Sequence, residues 1–244
     1  MTKTKSLTIA IPLYNESETI KQLKQKLLET IKNIETTELK ILLVDDGSTD
    51  NTYELLFKEF FDLDYFEIIQ HEKNLNLDGF IKTIITICDT EFVVFLDSDC
   101  TFEPEYILDM LSLINSDIDV VNGSPYHPNG NVEGVKKGRL LISNGANYIY
   151  RFLIDKNIYT YTSIFKLYRT SKIRDIEITT KGFVSVSELF IKSILNGARV
   201  TEFPCVLKIR EYGDSKIRIF SSIKNHTLFM KKLLFKKILK TSDL

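Results

Sequence analysis

Residues 91–99, EFVVFLDSD, decide the fold that the sequence predicts. Residues 92–96 are a continuous apolar run, too short for a helix and rich in aromatic and β-branched side chains. This pattern is typical of a strand buried on both faces. The run stops at Asp97 and Asp99, so two carboxylates follow the strand's carboxyl end, where open α/β sheets bind ligands. Residues i and i+2 of a strand point the same way, so both acids can face one point and hold a divalent cation. An isolated DxD is more often only a polar loop, so the surrounding sequence has to decide.

The residues before this strand alternate between strand and helix patterns. The predicted strands are 6–11, 39–44 and 65–70. The predicted helices are one with apolar spacing from Ile20 to Ile34, then 52–61 and 80–88. This alternation predicts an α/β fold with a mostly parallel, Rossmann-like sheet flanked by helices. The second strand also runs into acids, in residues 45–50 (DDGSTD), and acids clustered at strand ends favour a ligand site over a polar loop.

The second half continues with mixed patterns. After Asp99 we expect, in order, a helix from Pro104 to about Asn115, a strand at 119–122, a mobile surface loop at 123–134, a helix at 135–154, a β-prone stretch at 159–168, a helix at 182–195, one or two strands at 199–209 and a basic, flexible loop at 210–216.

The predicted helix 135–154 carries a polar stripe. Arg139, Ser143 and Asn147 recur every four residues, and Arg151 continues the line. Such a stripe is often only a solvated face. The stripe contains no acid, however, and a guanidinium, a hydroxyl and an amide on one face suit an anionic ligand.

The C-terminal residues 216–244 differ in composition from the rest. Between Ser215 and Ser242 there are eight Lys or Arg and no acid, interleaved with apolar residues. As a helix this segment is amphipathic and cationic, which is the pattern of a helix lying in an anionic membrane surface. The alternative is a helix docked on the protein's own core with its lysines in water.

Composition limits the remaining possibilities. The net charge of −1 argues against nucleic-acid binding. Cys88, Cys100 and Cys205 are far apart and form no CxxC, which predicts free thiols in a reducing compartment. The N-terminal apolar run is broken by Pro12, and no window approaches the roughly 20 apolar residues that span a bilayer. We therefore expect a cytoplasmic protein, peripheral on the cytoplasmic face of a membrane.

Together these segments resemble the inverting glycosyltransferases of the GT-A fold, and more narrowly the dolichol-phosphate mannosyltransferase and polyprenyl-phosphate glycosyltransferase group. The likeness runs from Ile9 to about Ile217. The motifs that carry it are IPLYNES, VDDGSTD, FLDSDCTFEPEYI, GSPY, the Arg139/Ser143/Asn147 helix, YTSIFKLYR, KGFVSVSELF and REYGDSK. The first motifs alone indicate the broad superfamily, and the later ones, in this order, indicate the lipid-phosphate branch.

The resemblance implies transfer of a hexose from a nucleotide sugar of the GDP-mannose or UDP-glucose type to a polyprenyl or dolichyl phosphate. The implied nucleotide-sugar-binding residues are Pro12, Tyr14, Glu16, Asp46, Asp97, Ser98 and Lys216. Asp97 and Asp99, with Thr101, would bind Mg²⁺ or Mn²⁺, and the implied catalytic residues are Asp97, Asp99 and Arg210. Arg139 and Ser143 would bind the acceptor phosphate.

The resemblance also implies a division of the chain. Residues 1–215 would be the GT-A domain, with 1–122 as the nucleotide-sugar-binding half and 123–215 as the acceptor-binding half. Residues 216–244 would be a basic amphipathic segment that contacts the membrane surface. The implied acceptor, a phosphomonoester with a second pKa near 6, is largely dianionic at pH 7, so we expect no essential general base.

Several positions depart from the group's pattern. Pro125 stands where an arginine is usual, and Lys136, Lys137 or Lys166 could substitute for it. Ile164 replaces a common glycine and could narrow the pocket. Residues 74–79 lack the usual small side chains, which leaves the identity of the donor nucleotide sugar open. Glu188 matches an acid that could be a buried structural partner or a catalytic group.

Two other functions remain open at this point. A transferase of the same fold could act on a saccharide or a cell-surface polymer, with an acid as base. A non-catalytic nucleotide-sugar-binding or membrane-adaptor subunit would fit the departures at Pro125 and Ile164, although the presence of Asp97, Asp99 and Arg210 speaks against it.

Overall fold

The computed structural model describes residues 5–134, 137–208 and 219–239. The strands are β1 (Ser6–Leu13), β2 (Glu38–Asp45), β3 (Phe66–Gln70), β4 (Phe92–Phe95), β5 (Val120–Ser124), β6 (Asn131–Val132), β7 (Lys166–Arg169), β8 (Val200–Pro204) and β9 (Val206–Leu207). The α-helices are α1 (Ile20–Ile31), α2 (Thr52–Phe60), α3 (Asn76–Ile87), α4 (Tyr106–Leu113), α5 (Lys137–Leu153), α6 (Val184–Leu195) and α7 (Ile219–Leu239).

Seven strands form one sheet in the order β3-β2-β1-β4-β7-β5-β8. β7 is antiparallel to both of its neighbours, β4 and β5, and the other pairs are parallel. The expected α/β fold with a mostly parallel sheet is confirmed. The parallel strands all end at one edge of the sheet, and β7 begins there.

Strand alternation divides the core between the two faces of the sheet. Ile9 and Ile11 of β1 pack with apolar residues of α1, α2 and α4. Ala10 of β1 and Phe95 of β4 pack on the opposite face with residues of α3, α5, α6 and α7. Because successive side chains of β1 and β4 are buried on both faces, these strands read as continuous apolar runs.

The prediction of a surface loop at 123–134 is wrong near both ends of that range, where the residues are in strands. Gly123 and Ser124 are buried and extend β5, where they pair with Phe203 and Pro204 of β8. Asn131 begins β6, which pairs with β9. A Cβ on Gly123 would lie 2.4 Å from Cδ1 of Phe165, so the close approach of these two segments requires glycine here.

The predicted β-prone stretch 159–168 is strand only from Lys166 onward. The preceding residues donate their backbone N–H groups to side chains instead of to a neighbouring strand. The N–H groups of Tyr159 and Thr160 bind Glu202 at 2.9 and 3.0 Å, and that of Tyr161 binds Asn147 at 2.8 Å. We call residues 159–165 the connecting segment.

The C-terminal helix α7 contacts α5 and α6. Its His226, Phe229 and Leu233 are buried, and Tyr150 of α5 hydrogen-bonds Nδ1 of His226 at 2.8 Å. One side of α7 is therefore docked on the protein's own core, as one of the two alternatives for this segment predicted. Among the helices in the described residues, none is long and apolar enough to cross a membrane.

Candidate active site

The loops after β1 and β2 are tied together at the carboxyl edge of the sheet. Oδ1 of Asn15 accepts a hydrogen bond from the N–H of Thr49 at 2.7 Å, and the N–H of Asn15 binds Oγ of Ser48 at 2.9 Å. Asn15 has φ +53°, a conformation that asparagine tolerates better than most residues. The N–H of Glu16 binds Oγ1 of Thr52 at 2.8 Å. These bonds bring the IPLYNES and VDDGSTD motifs into one structure.

Pro12, Tyr14 and Glu16 lie along this edge. Pro12 is in β1, opposite Val44 of β2, and Leu13 is opposite Asp45. Glu16 is buried, whereas Tyr14 is half-buried. Three of the predicted donor-binding residues therefore adjoin the acidic loop of the second strand.

Asp46 is buried in a small polar cluster. Its Oδ1 lies 2.7 Å from Nδ1 of His71 and accepts a hydrogen bond from the N–H of Leu75 at 2.9 Å. Nε2 of His71 lies 2.9 Å from Oγ1 of Thr83. Burial raises the pKa of Asp46, and the contacts with His71 and Leu75 oppose that rise. Asp46 thus fixes the turn after β3.

His71 was not predicted to be part of the site, because a lone histidine in a polar turn belongs to no motif and no periodic pattern. Gly47 beside it adopts φ +67°, and a Cβ there would lie 2.4 Å from the carbonyl carbon of Lys73. The glycine of VDDGSTD is therefore required both by its backbone conformation and by the close turn against it.

The two acids of the DxD motif lie beyond the end of β4. They sit in a turn and not on the strand, so the strand-alternation argument is wrong. Their exposures still alternate, because Asp97 and Asp99 are half-buried whereas Ser98 and Cys100 are buried. Oδ1 of Asp99 accepts a hydrogen bond from the N–H of Thr101 at 3.1 Å, which closes the turn.

The donors at this turn fit a hard divalent cation. Asp97 and Asp99 offer carboxylate oxygens, and Thr101, also half-buried, offers a hydroxyl. Burial raises the pKa of the Cys100 thiol to about 12, so it offers no thiolate. The described residues contain no group of three or more His, Cys, Asp or Glu side chains able to surround an ion.

Lys166 is a fully buried cation at the same edge. Lys166 is the first residue of β7 and pairs with Phe95, which precedes Asp97 by two residues in the chain. Its ammonium group donates to the carbonyl oxygen of Ser163 and lies 4.8 Å from the ring centroid of Phe190. Burial lowers the pKa of Lys166 to about 7, against the electrostatic attraction of Glu202 and Asp97. None of the described carboxylates forms an ion pair with it.

Two residues of the polar stripe of α5, Ser143 and Asn147, face the protein and not the solvent. Oγ of Ser143 lies 3.0 Å from Oγ1 of Thr162. Asn147 is buried, its Oδ1 accepts a hydrogen bond from the backbone N–H of Tyr161, and its Nδ2 has no hydrogen-bond partner among the described residues. Arg139 lies near the start of α5, but its side chain is outside the described part of the structure. The interpretation of this stripe as a solvated face is therefore wrong for Ser143 and Asn147.

The connecting segment joins α5 to the DxD turn. At one end Tyr161 and Thr162 contact α5. At the other, Phe165 stacks on Phe102 with ring centroids 5.1 Å apart, and Lys166 follows. The structure therefore places Ser143 and Asp97 at the same edge of the sheet, linked through one short stretch of chain.

Glu188 is a structural residue. Its carboxylate is fully buried and accepts hydrogen bonds from the N–H and hydroxyl groups of Thr179 and Thr180, at 2.7 to 3.2 Å. Nζ of Lys192 lies 2.9 Å from Oε1. Burial raises the pKa of Glu188, but these partners outweigh it and hold the pKa below its ordinary value. Every polar contact of this carboxylate serves the fold.

Two predicted site residues, Arg210 and Lys216, lie outside the described residues, as does the rest of REYGDSK. The described chain before them ends at Lys208, whose N–H binds the carbonyl oxygen of Thr101 at 2.9 Å. A cleft of about 600 Å³ is lined by residues such as His127, Asp155 and Glu202. Its lining includes none of the predicted site residues that the structure describes.

Comparison with known proteins gives three consistent results. A family model described as Glycosyl transferase family 2 matches residues 8–177. Polyprenol monophosphomannose synthase of Mycolicibacterium smegmatis is 27% identical over 226 residues, which cover 88% of this chain and 82% of that protein. Undecaprenyl-phosphate mannosyltransferase of Micrococcus luteus is 25% identical over 217 residues, or 86% of each chain.

Among solved structures, glucosyl-3-phosphoglycerate synthase from Mycobacterium tuberculosis in complex with Mn²⁺, UDP and glucosyl-3-phosphoglycerate is similar, with a TM-score of 0.66. The match has 13% sequence identity and covers 95% of this chain and 79% of that one. The same enzyme in complex with phosphoglyceric acid gives a TM-score of 0.71 at 13% identity, covering 94% of this chain and 80% of that one. At this identity the likeness shows the fold alone.

Proposed function

The chain belongs to glycosyl transferase family 2 and is a glycosyltransferase, and from this premise we propose that it transfers mannose from a nucleotide sugar to a polyprenyl phosphate. One observation carries the proposal. The DxD turn and Ser143 of α5 lie at the same edge of the sheet, joined by the connecting segment. The names of the two curated relatives favour mannose as the sugar.

The nucleotide sugar would bind along the edge formed by β1, β2 and β4. Pro12, Tyr14 and Glu16 would contact the nucleoside, with Asp46 holding the turn that borders it. Ser98 lies between the two acids of the DxD turn. Arg210 and Lys216 would bind the diphosphate and balance its charge. GDP-mannose is the first donor to test, and UDP-glucose the second.

Asp97 and Asp99, with Thr101, would hold Mg²⁺ or Mn²⁺. When bound, the cation would stabilise the negative charge of the departing nucleoside diphosphate. Structures of the same fold that contain Mn²⁺ and UDP support this assignment. The protein's contribution is to hold the two carboxylates in position. The hydrogen bond from the N–H of Thr101 to Oδ1 of Asp99 holds one of them.

The acceptor phosphate would bind at α5, through Arg139 and Ser143. A phosphate oxygen attacks the anomeric carbon from the face opposite the leaving group, the bond from that carbon to the diphosphate breaks, and the configuration inverts. Because the acceptor is largely dianionic at pH 7, no residue has to remove a proton. The protein must instead hold two anions close together. The cations proposed for this are Arg139, Lys166, Arg210 and Lys216.

The proposal includes a peripheral membrane location on the cytoplasmic face, where a polyprenyl phosphate would be found. The basic C-terminal segment, residues 216–244, would contact that membrane surface. Residues 1–122 would supply the donor half of the site, and residues 123–215 the acceptor half.

The test is an assay in detergent with a polyprenyl phosphate and radiolabelled GDP-mannose or UDP-glucose. We expect labelled lipid, and we expect Asp99→Ala to lower the rate about a hundredfold or more, because it removes a preorganised charge at the donor diphosphate. Asp109→Ala is the matched control, because Asp109 is an exposed acid on α4 away from the DxD turn.

Three results would overturn the proposal. One is near-normal turnover by Asp99→Ala. Another is transfer to a sugar hydroxyl with no labelled lipid from either donor, which would instead identify a saccharide transferase. Donor binding without turnover on any acceptor would indicate a non-catalytic subunit and would contradict the proposal equally.

A further inference from the structure

Two helices in the described chain contain no acidic residue. α5 contains Lys137, Arg139 and Arg151, and α7 contains Lys224, Lys231, Lys232, Lys236 and Lys237. Each of the other five described α-helices contains at least one Asp or Glu. In a chain whose net charge is −1, a pair of contacting helices with eight basic residues and no acid is a local concentration of positive charge.

The same two helices expose much of the apolar surface. Of the fourteen large apolar side chains that are exposed in the described residues, seven lie on α5 and α7, so the exposed apolar side chains are concentrated where acids are absent. Tyr148 and Phe152 of α5 are 74% and 77% exposed, and Leu228 and Phe235 of α7 are 50% and 68% exposed. Aromatic side chains beside lysines are typical of the boundary between lipid and water.

α7 has two apolar sides, and the core accounts for only one. Phe229 and Leu233, four residues apart, are buried against the core, and Tyr150 bonds His226 on this side. Leu228 and Phe235 are seven residues apart, so they share a second side of the helix, and they are exposed. Lys224 and Lys231, also exposed, lie near that second side. Docking on the core therefore leaves the outer apolar side exposed in the part of the chain that the structure describes.

We propose that the outer sides of α5 and α7 together form a surface that binds an anionic lipid membrane while α7 stays docked on the protein. Basic residues near an anionic membrane are attracted by its negative surface potential. The exposed aromatic and aliphatic side chains add favourable burial at the headgroup boundary. The choice of a lipid surface rests on the proposed function, since Ser143, on the inner side of α5, would bind the phosphate of a lipid acceptor.

A second copy of the chain fits this surface less well. A two-fold interface would bring the same patch against itself. The basic residues of one copy would then face those of the other, with no acid from either helix to offset them. Charge complementarity instead favours an acidic surface, as anionic lipid headgroups provide.

Vesicle co-sedimentation tests the surface without any substrate. Vesicles of phosphatidylcholine with phosphatidylglycerol should bind the protein, and vesicles of phosphatidylcholine alone should bind it much less. Tyr148→Ser/Phe152→Ser and Leu228→Ser/Phe235→Ser should each weaken binding about tenfold or more, because each removes two side chains that enter the boundary. Lys224→Glu/Lys231→Glu should weaken binding to the anionic vesicles alone.

The matched control is Phe57→Ser/Phe61→Ser on and beside α2. These rings are 46% and 63% exposed and stack at 4.4 Å, but they lie outside the proposed surface. This variant should bind as the native protein does. Thermal unfolding of every variant separates loss of binding from loss of fold, and the exposed lysine pair still tests the surface if an apolar variant fails to fold.

Several results would overturn the inference. One is failure of the native protein to bind anionic vesicles. Another is normal binding by the α5 variant, which would leave α7 as the sole contact. A third is a dimer, detected by light scattering, that the same substitutions dissociate. It would identify a second copy of the chain as the occupant. Because these vesicles contain neither polyprenyl phosphate nor donor, the outcome is independent of transferase activity, and activity in detergent should survive the surface substitutions.

Discussion

At the scale of single residues, two buried lysines on the same face of the sheet have opposite surroundings. Lys192 has Glu188 at 2.9 Å and the carbonyl oxygen of Glu177 at 2.8 Å. Lys166 has one carbonyl oxygen and an aromatic ring, and no ion pair with a described carboxylate. A buried ammonium group without an ionic partner among the described residues is unfavourable to the fold, so we expect Lys166, beside the DxD turn, to have a functional role.

This difference predicts opposite effects of one substitution. Lys166→Met should leave the free energy of unfolding unchanged or raise it, because a methionine of similar length replaces an unpaired cation. It should lower the transferase rate about tenfold or more, because a cation beside two bound anions is lost. Lys192→Met should instead lower the free energy of unfolding by about 3 kcal/mol, since it leaves the Glu188 carboxylate without its ion pair.

Urea unfolding and the detergent assay measure both effects. Equal destabilisation by the two substitutions would show that Lys166 serves the fold. A Lys166→Met protein with full activity would show that its charge has no part in the reaction.

Glu188 gives a prediction about pH. Its pKa is lowered in the folded protein from an ordinary value of 4.5, so the folded state binds its proton less readily than the unfolded chain does. The stability from this group is fully present above pH 4.5 and is lost as the pH falls through the lowered pKa. Glu188→Gln should therefore unfold more easily at pH 7, by about 3 kcal/mol.

The variant should also lose less of its remaining stability below pH 4.5 than the native protein does. Denaturant unfolding curves at several pH values check this. Parallel pH profiles for the two proteins would contradict the assigned role of the carboxylate.

At the scale of elements, alanine substitutions at two glycines distinguish the effect of packing on stability from the effect of helix propensity. Gly123→Ala puts a Cβ within 2.4 Å of Phe165 and should destabilise the fold by about 1–3 kcal/mol, because β5 and the connecting segment must move apart. Gly145→Ala on α5 meets nothing within 4 Å and should stabilise the fold by up to about 1 kcal/mol through helix propensity. Urea midpoints that move in the same direction for both would contradict this.

The sequence predicted the first half of the fold well. Strands such as β1 and β4 are apolar on both faces, and local patterns are sufficient to find them. The second half was harder, because its segments are held by side-chain bonds with distant residues. Glu202 binds the backbone of Tyr159 and Thr160 from about forty residues away, and no local pattern shows this.

The candidate site shows the same division. The DxD turn was found from its position after a buried strand. His71 and the inward direction of Ser143 and Asn147 were not predicted, because each depends on which loop lies opposite. Glu188 could be assigned to the fold only once Thr179, Thr180 and Lys192 were seen around it.

At the scale of the whole molecule, α7 completes the core. Phe229 and Leu233 are buried in the same cluster as Tyr150 and Phe190. Truncation after Lys216 should therefore lower the free energy of unfolding by several kcal/mol, at about 1.5–3 kcal/mol for each buried apolar side chain that is lost. Binding of a hydrophobic dye and a lower thermal midpoint would report the exposed core. An unchanged midpoint would show that α7 contributes nothing to stability.

The reversed direction of β7 has a consequence for how binding of one proposed substrate affects binding of the other. β7 starts at the edge of the sheet where the parallel strands end, so the connecting segment leads into β7 at that edge. Thr162 of this segment contacts Ser143. The segment is followed by Lys166, which pairs with Phe95, two residues before the DxD turn. If the acceptor binds Ser143 as proposed and draws it away from Thr162, we expect the connecting segment, which leads to the proposed donor site, to shift with it. Thermodynamic reciprocity then requires donor and acceptor to alter each other's dissociation constants by one common factor, which titrations in either order would measure.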